Sequence, residues 1–260
     1  MAKTGGSGIG RSASGLACER KGRNMSYRYE THCHSAEGSA CSVISIRDMV
    51  HLYHENGYSG LCIADHFSGN SALSDELTWK ERVQKHWDIC EEGRREGEKL
   101  GFKVFFGMEY SLIRYPGQLR RILGNDFVLL GLDKEWWMEQ EGIFDLPPVE
   151  CFRKIREAGG FIIHAHPFLE APWVDYIRLL PRSVDAVEVI NGPMNPKNNE
   201  SARIYAETYG LLKTAGTDLH RKEDAVYMSG VECDTPCDTV QELICAIREG
   251  RATPFQVPRG

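Results

Sequence analysis

GGFIIHAHPF, residues 159–168, places two histidines inside and just beyond an apolar run. Phe161, Ile162 and Ile163 read as a buried strand, and Pro167 closes it. Imidazoles are costly to bury unless both ring nitrogens find partners. Strand side chains alternate, so His164 and His166 are expected on one face. Two imidazoles side by side at a strand end therefore need partners from elsewhere in the chain or from a ligand.

The pattern recurs along the 260 residues. Short apolar runs at 27–32, 60–65, 102–110, 126–132, 161–165, 184–190 and 211–216 alternate with amphipathic segments. Ser45 with Asp48 opens a helix to about Glu55, which Gly57 stops. A charged helix is expected from Thr78 to Lys99, with Trp79, Val83, Trp87 and Cys90 facing the core. Another follows Pro147 and Pro148, one spans Asn198–Tyr209, and Thr239 with Glu242 caps a last one that ends at Gly250. Apolar strands alternating with helices indicate an α/β fold with parallel strands covered on both faces. Seven such strands fit a distorted, TIM-barrel-like (β/α)7 barrel or an open doubly wound sheet, in a single domain over 25–260. Residues 1–24, rich in Gly, Ser and basic side chains, read as a disordered tail or a misassigned start.

Composition narrows the function. A net charge of -6 argues against a protein that grips nucleic acid mainly by charge. No apolar run approaches the roughly 20 residues that cross a bilayer. The nine cysteines are scattered and odd in number, so they are read as reduced thiols of a cytoplasmic protein. Isolated histidines such as His51 and His86 are read as structural.

His32 and His34 follow the first strand, Asp65 and His66 the second, and Glu109 ends the third. His164 and His166 end the fifth, Glu188 and Asn191 the sixth, and Asp218 and His220 lie beyond the seventh. Strand ends of a β/α barrel converge on one mouth, where such ligands suit zinc, manganese or iron.

THCHS, IADHF, GMEYS, HAHPF and GTDLH, in that order, resemble the PHP (polymerase and histidinol phosphatase) family of metal-dependent phosphoesterases, over about residues 27–255. The resemblance implies a distorted (β/α)7 barrel, two or three divalent ions (Mn, Zn or Fe) and hydrolysis of a phosphate ester by a hydroxide between metals. It places His32, His34, Glu109 and Asp218 on a first ion, Glu109 and His166 on a second, and His66 and His220 on a third. Asp65 is expected to orient its neighbour or take part in proton transfer, beside Glu109, His166 and Asp218 as catalytic residues. Arg114, Arg221 and Asn191 are candidate contacts to the substrate.

Two positions depart from the family's pattern. Ser39 stands where trinuclear members carry Asp, with Glu37 nearby, and Val128 stands where many carry a histidine ligand of the second metal. His164 is the residue expected to supply that missing nitrogen. The substrate expected is a small phosphorylated molecule or nucleotide. An exonuclease or oligonucleotide phosphodiesterase is the alternative within the class, disfavoured because no basic, aromatic run is available for a nucleic-acid strand. A catalytically degenerate metal-binding regulator is the alternative outside it.

Overall fold

The computed structural model describes residues 26–112, 125–172, 174 and 177–260. The segment 1–24 and Arg114 lie outside the described residues.

The predicted helices form where their caps are. Ser45 accepts from the Asp48 amide to start α1 (Ile46–Glu55). Thr78 and Glu81 close a capping box on α2 (Trp79–Glu98), and Thr239 and Glu242 do the same for α6 (Val240–Arg248). Proline at the first turn starts α4 (Pro148–Glu157) and α5 (Pro196–Tyr209). A short α3 (Lys134–Met138), capped by Asp133, follows the fifth strand.

The strands depart from the expected plan. There are ten among the described residues, in two five-stranded sheets, and no sheet closes into a barrel. The first sheet runs β10 (Ala252–Pro258), β9 (Tyr227–Cys233), β1 (Tyr27–Cys33), β2 (Tyr58–Ile63), β3 (Lys103–Phe105). The second runs β4 (Gly107–Ser111), β5 (Asp126–Leu130), β6 (Phe161–Ala165), β7 (Ala186–Asn191), β8 (Leu212–Gly216). The single strand expected over 102–110 divides at Phe106, where the chain leaves one sheet for the other. Gly107 makes that step: a Cβ there would lie 2.5 Å from Leu130 and 2.7 Å from the Ile63 carbonyl.

Nor are the strands all parallel. β5 is antiparallel to both β4 and β6, and β9 is antiparallel to both β1 and β10. DFVLL is buried throughout, as a parallel strand would be. Apolar packing on both faces, which the sequence shows, does not fix strand direction. The core is layered accordingly. Cys62, Phe105, Val128, Leu130, Phe161, Ile163 and Ala186 meet between the sheets and against Leu243, Ile244 and Ile247 of α6. Met49, Val50, Val83, Phe127, Leu129, Phe152 and Ile162 belong to a second cluster, under α1, α2 and α4. Isolated bridges, His66 to Glu109 and Cys33 to Leu219, tie the two sheets together. Both bridges involve or adjoin the polar residues at the strand ends.

Candidate metal centre

The geometry begins at β1. Glu30 and His32 project to the inner face, and His34 follows at the strand end. Gly216 at the end of β8 leaves room for them: a Cβ there would lie 2.5 Å from both Glu188 Oε1 and His32 Cβ. The His32 and His34 Nε2 atoms converge to 3.1 Å. Asp218 Oδ1 lies 3.1 Å from His34 and 3.6 Å from His32. Glu109 on β4 is the hub, with imidazole nitrogens of His32, His34, His66 and His166 at 3.4, 3.6, 2.8 and 3.5 Å from its carboxylate. It is buried, yet neither carboxylate oxygen accepts a well-aligned hydrogen bond.

Buried polar atoms without partners are rare and need a reason. Two imidazole nitrogens 3.1 Å apart share at most one proton, whereas a cation bonded to both at about 2 Å satisfies both lone pairs. The sets His32–His34–Glu109, His32–His166–Asp218, Glu109–Asp126–His166 and His34–His66–His220 each bring their ligand atoms within 4.8 Å of one another. The donor set therefore fits divalent ions at more than one position.

Electrostatics agree. Burial opposes charge on His32, but Glu188, Asp218 and Glu109 overcome it and hold its imidazole well above the usual range. Burial likewise works against charge on His166, but Glu109, Asp218 and Asp126 raise it to about 9. Glu109 would be raised by burial, and the charges of His66 and His32 bring it well below the ordinary carboxylate range. A field that keeps protons on these nitrogens also favours the cations that compete for them.

Around the ligands lies a ring of carboxylate and amide contacts that orient them. Glu188 faces His32 Nδ1 at 3.1 Å and accepts from the His166 amide at 3.0 Å. Asn191 donates to Glu188 at 3.0 Å and to Asp218 at 3.2 Å. It is buried and braces Asp218. Asp65 accepts from the Ser35 amide, the Ser35 hydroxyl and the Ser39 hydroxyl at 2.6, 2.6 and 2.9 Å. Burial raises its carboxyl to about 6, against the lowering effect of those bonds. Ser39 passes the order on, lying 3.2 Å from His34 Nδ1 and accepting from the His66 amide at 3.0 Å. Asp65 thus holds the loop after β1 in place. Arg221 is exposed beside His220.

Two expectations about the second ion change. Val128 faces Glu109 across the β4–β5 ladder and packs in the core between the sheets. Because β5 runs antiparallel, its first residue rather than its last reaches the cluster. That residue is Asp126, 3.9 Å from His166 Nε2 and grouped with it and Glu109. The reading from sequence missed Asp126 because it took the strand to be parallel. The signal available was a carboxylate opening an otherwise apolar strand, DFVLL.

His164 is the other correction. It does not share a face with His166. Paired opposite Phe127, it stacks on that ring at 4.7 Å and meets Tyr205 of α5 edge-on, and it belongs to none of the ligand groups. Alternation alone would carry His166 outward with it. His166 instead has φ 26°, which turns its ring into the cluster. Asp218, with φ 49°, is the other non-glycine residue at positive φ among the described residues. Backbone strain of this kind clusters at active sites and ligand clamps, and here it falls on two residues whose side chains converge.

No protein-family profile and no curated protein matches the chain. Solved structures do. A two-domain protein from Bacteroides vulgatus ATCC 8482, described as containing a predicted PHP-like metal-dependent phosphoesterase, aligns with TM-score 0.66 at 16% identity. The alignment covers 89% of this chain and 65% of that one, so this chain spans about two-thirds of its length. PsfC from Pseudomonas syringae PB-5123 aligns with TM-score 0.59 at 17% identity, over 90% of this chain and 92% of PsfC. An amidohydrolase from Chromobacterium violaceum, with bound sulfate and no metal, aligns with TM-score 0.51 at 15% identity, over 87% and 97%. The chain shares the fold of these structures, and its His, Asp and Glu side chains cluster into groups able to hold metal ions.

Proposed function

We propose that this protein is a metal-dependent phosphoesterase that hydrolyses a phosphate ester of a small molecule or nucleotide. The carrying observation is Glu109, a buried carboxylate facing four imidazoles without a well-aligned hydrogen bond. His32, His34, Glu109 and Asp218 would hold one ion, and Glu109, Asp126 and His166 a second. Bound ions would supply Lewis-acid charge for the phosphoryl oxygens and lower the pKa of water at the centre.

The chain's own residues do the rest. Glu188 fixes the His32 ring by Nδ1 and leaves Nε2 aimed at Glu109. Asn191 holds Asp218 against both histidines of β1. A cavity of about 1350 Å³, lined by Cys41, Asp218 and His220 with Met194, Asn199 and Arg203 among others, offers room for a small substrate. Arg221 beside it is the proposed phosphate contact. No described helix is long and apolar enough to cross a membrane. A cytoplasmic location belongs to the same reading, on the scattered, odd-numbered cysteines.

The test is metal analysis of purified protein with a screen of phosphomonoesters, phosphodiesters and short oligonucleotides in manganese, zinc or iron. Hydrolysis that a chelator abolishes and metal restores is expected. Bound metal with no hydrolysis of any class would instead favour a regulator.

A further inference from the structure

The cavity beside the cluster is far larger than a phosphate group needs, and its course follows β8. Asp218 and His220 line one end of it, just past the C-terminal end of that strand. Leu212 lines the other, where β8 begins, and Ile247 of α6 and Ala252 of β10 belong to the same wall. From Leu212 to Asp218 the chain covers roughly 20 Å. The cavity is therefore a groove that starts at the metal centre and runs the length of the edge strand of the second sheet.

Much of its lining is apolar. Ile190 and Met194 contribute from the end of β7 and the turn after it, and Val226 and Tyr227 from the start of β9. Val226 is 64% exposed and Tyr227 47%. Exposed apolar side chains lining a concavity that opens from a polar site fit a ligand groove. The charged and amide side chains along it are already committed. Arg203 donates to Glu200 at 2.6 and 2.7 Å and pairs with Glu207, and Lys213 pairs with Glu207 at 3.0 Å. Asn199 accepts from the Asn191 amide at 3.1 Å and donates to its carbonyl at 3.2 Å. Among the described lining residues no lysine or arginine is left for a second phosphate, and Asp224 adds a negative charge. A nucleoside polyphosphate or a nucleic-acid strand would lie against a wall that offers it no free cation.

We propose that the groove takes the hydrocarbon chain of the substrate, which is a phosphate ester of an elongated, uncharged alcohol. The inference rests on the phosphoesterase reading of the cluster and specifies its leaving group. The phosphate lies at the Asp218 and His220 end, and the chain extends along β8 toward Leu212. A water oxygen bonds to phosphorus, the ester P–O bond breaks, and the leaving oxygen takes one of the water protons to depart as the alcohol.

A series of n-alkyl phosphates, each below its micellar concentration, tests the proposal. From butyl to dodecyl phosphate kcat/KM is expected to rise about 25-fold, less than full burial of the added methylenes would give because the groove is open. Val226→Asp is expected to cut that gain about tenfold, and Val226→Leu to keep it. Butyl and dodecyl phosphate hydrolysed within a factor of two of each other would overturn the proposal, as would faster hydrolysis of a nucleoside monophosphate than of dodecyl phosphate. Calorimetric binding of butyl- and dodecylphosphonate, which are not hydrolysed, separates the two readings. Hydrolysis without any preference for the longer chain removes only the groove. Tighter binding of dodecylphosphonate that Val226→Asp abolishes, with no ester hydrolysed, removes only the phosphoesterase.

Discussion

Two His-x-His segments end strands in this protein, and they behave differently. At β1, His32 and His34 both enter the cluster, and their Nε2 atoms meet at 3.1 Å. At β6, His166 enters it and His164 stacks on Phe127 on the outer side. The difference lies in which face each strand turns inward. β1 directs Glu30 and His32 toward the site, whereas β6 directs Ile163 and Ala165 inward and leaves Ile162 and His164 outside. His166 reaches the cluster only through its backbone turn at φ 26°, and the bond from its amide to Glu188 secures that turn. A motif of fixed spacing thus delivers two ligands or one according to its phase relative to the sheet.

The largest effects should come from residues on which both segments depend. Glu109→Gln removes the carboxylate that faces His32, His34 and His166 together. It is expected to lower hydrolysis about 100-fold or more while the far-ultraviolet circular dichroism is unchanged. Activity within a factor of two of wild type would end its role as hub.

Next comes the strand that supplies the ligand missing from the β6 segment. Asp126→Asn is expected to reduce metal content by about one equivalent and activity about 10- to 100-fold. Val128→Ala should keep its metal and lose about 1–3 kcal/mol of stability, as a truncated core side chain does. The reverse pattern in metal analysis would mean that β5 presents its other end to the site.

The β6 pair itself can be separated directly. His166→Ala should lose metal, and His164→Phe should retain full metal and activity. Burial and the nearby His166 push the His164 imidazole down from 6.5 to about 3. Its folded pKa is depressed, so between these values the unfolded chain binds a proton that the native state does not. The native state is therefore favoured above about pH 6.5 and loses this contribution as pH falls toward 3. Neither ring nitrogen of His164 has a hydrogen-bond partner, so replacement by Phe leaves nothing unsatisfied. The urea midpoint of His164→Phe should accordingly fall less than that of wild type between pH 7 and pH 4. Equal losses would show that His164 does not titrate as a buried neutral ring.

The smallest effect probes the loop that follows the β1 pair. Ser42→Ala deletes two hydroxyl contacts to the carbonyls of His34 and His220. A loss of about 1–2 kcal/mol with metal content unchanged is expected by thermal melting. A lost equivalent of metal would mean that the loop also sets ligand position.

Much of this arrangement could be read from the chain itself. Capping residues announced α1 and α6, amphipathic patterning announced α2, and apolar runs located β1, β2, β5, β6, β7 and β8, because these signals are local in sequence. His32, His34, His66, Glu109, His166, Asp218 and His220 stood out at strand ends, and the structure brings those side chains together. Strand direction was not legible: DFVLL is equally apolar read either way, and only its pairing with β4 and β6 determines that Asp126, not Val128, lies next to the site. The position of His164 was also decided in three dimensions, since a period of two says which residues share a face but not which face is inside. The loop after β1 shows the same limit, since Ser39 meets the His66 amide and Ser42 the His220 carbonyl only once the chain folds. Local hydrogen bonding and hydrophobic periodicity are written along the chain, whereas the inward face, the direction of a strand and the company of a loop residue depend on long-range packing between the two sheets.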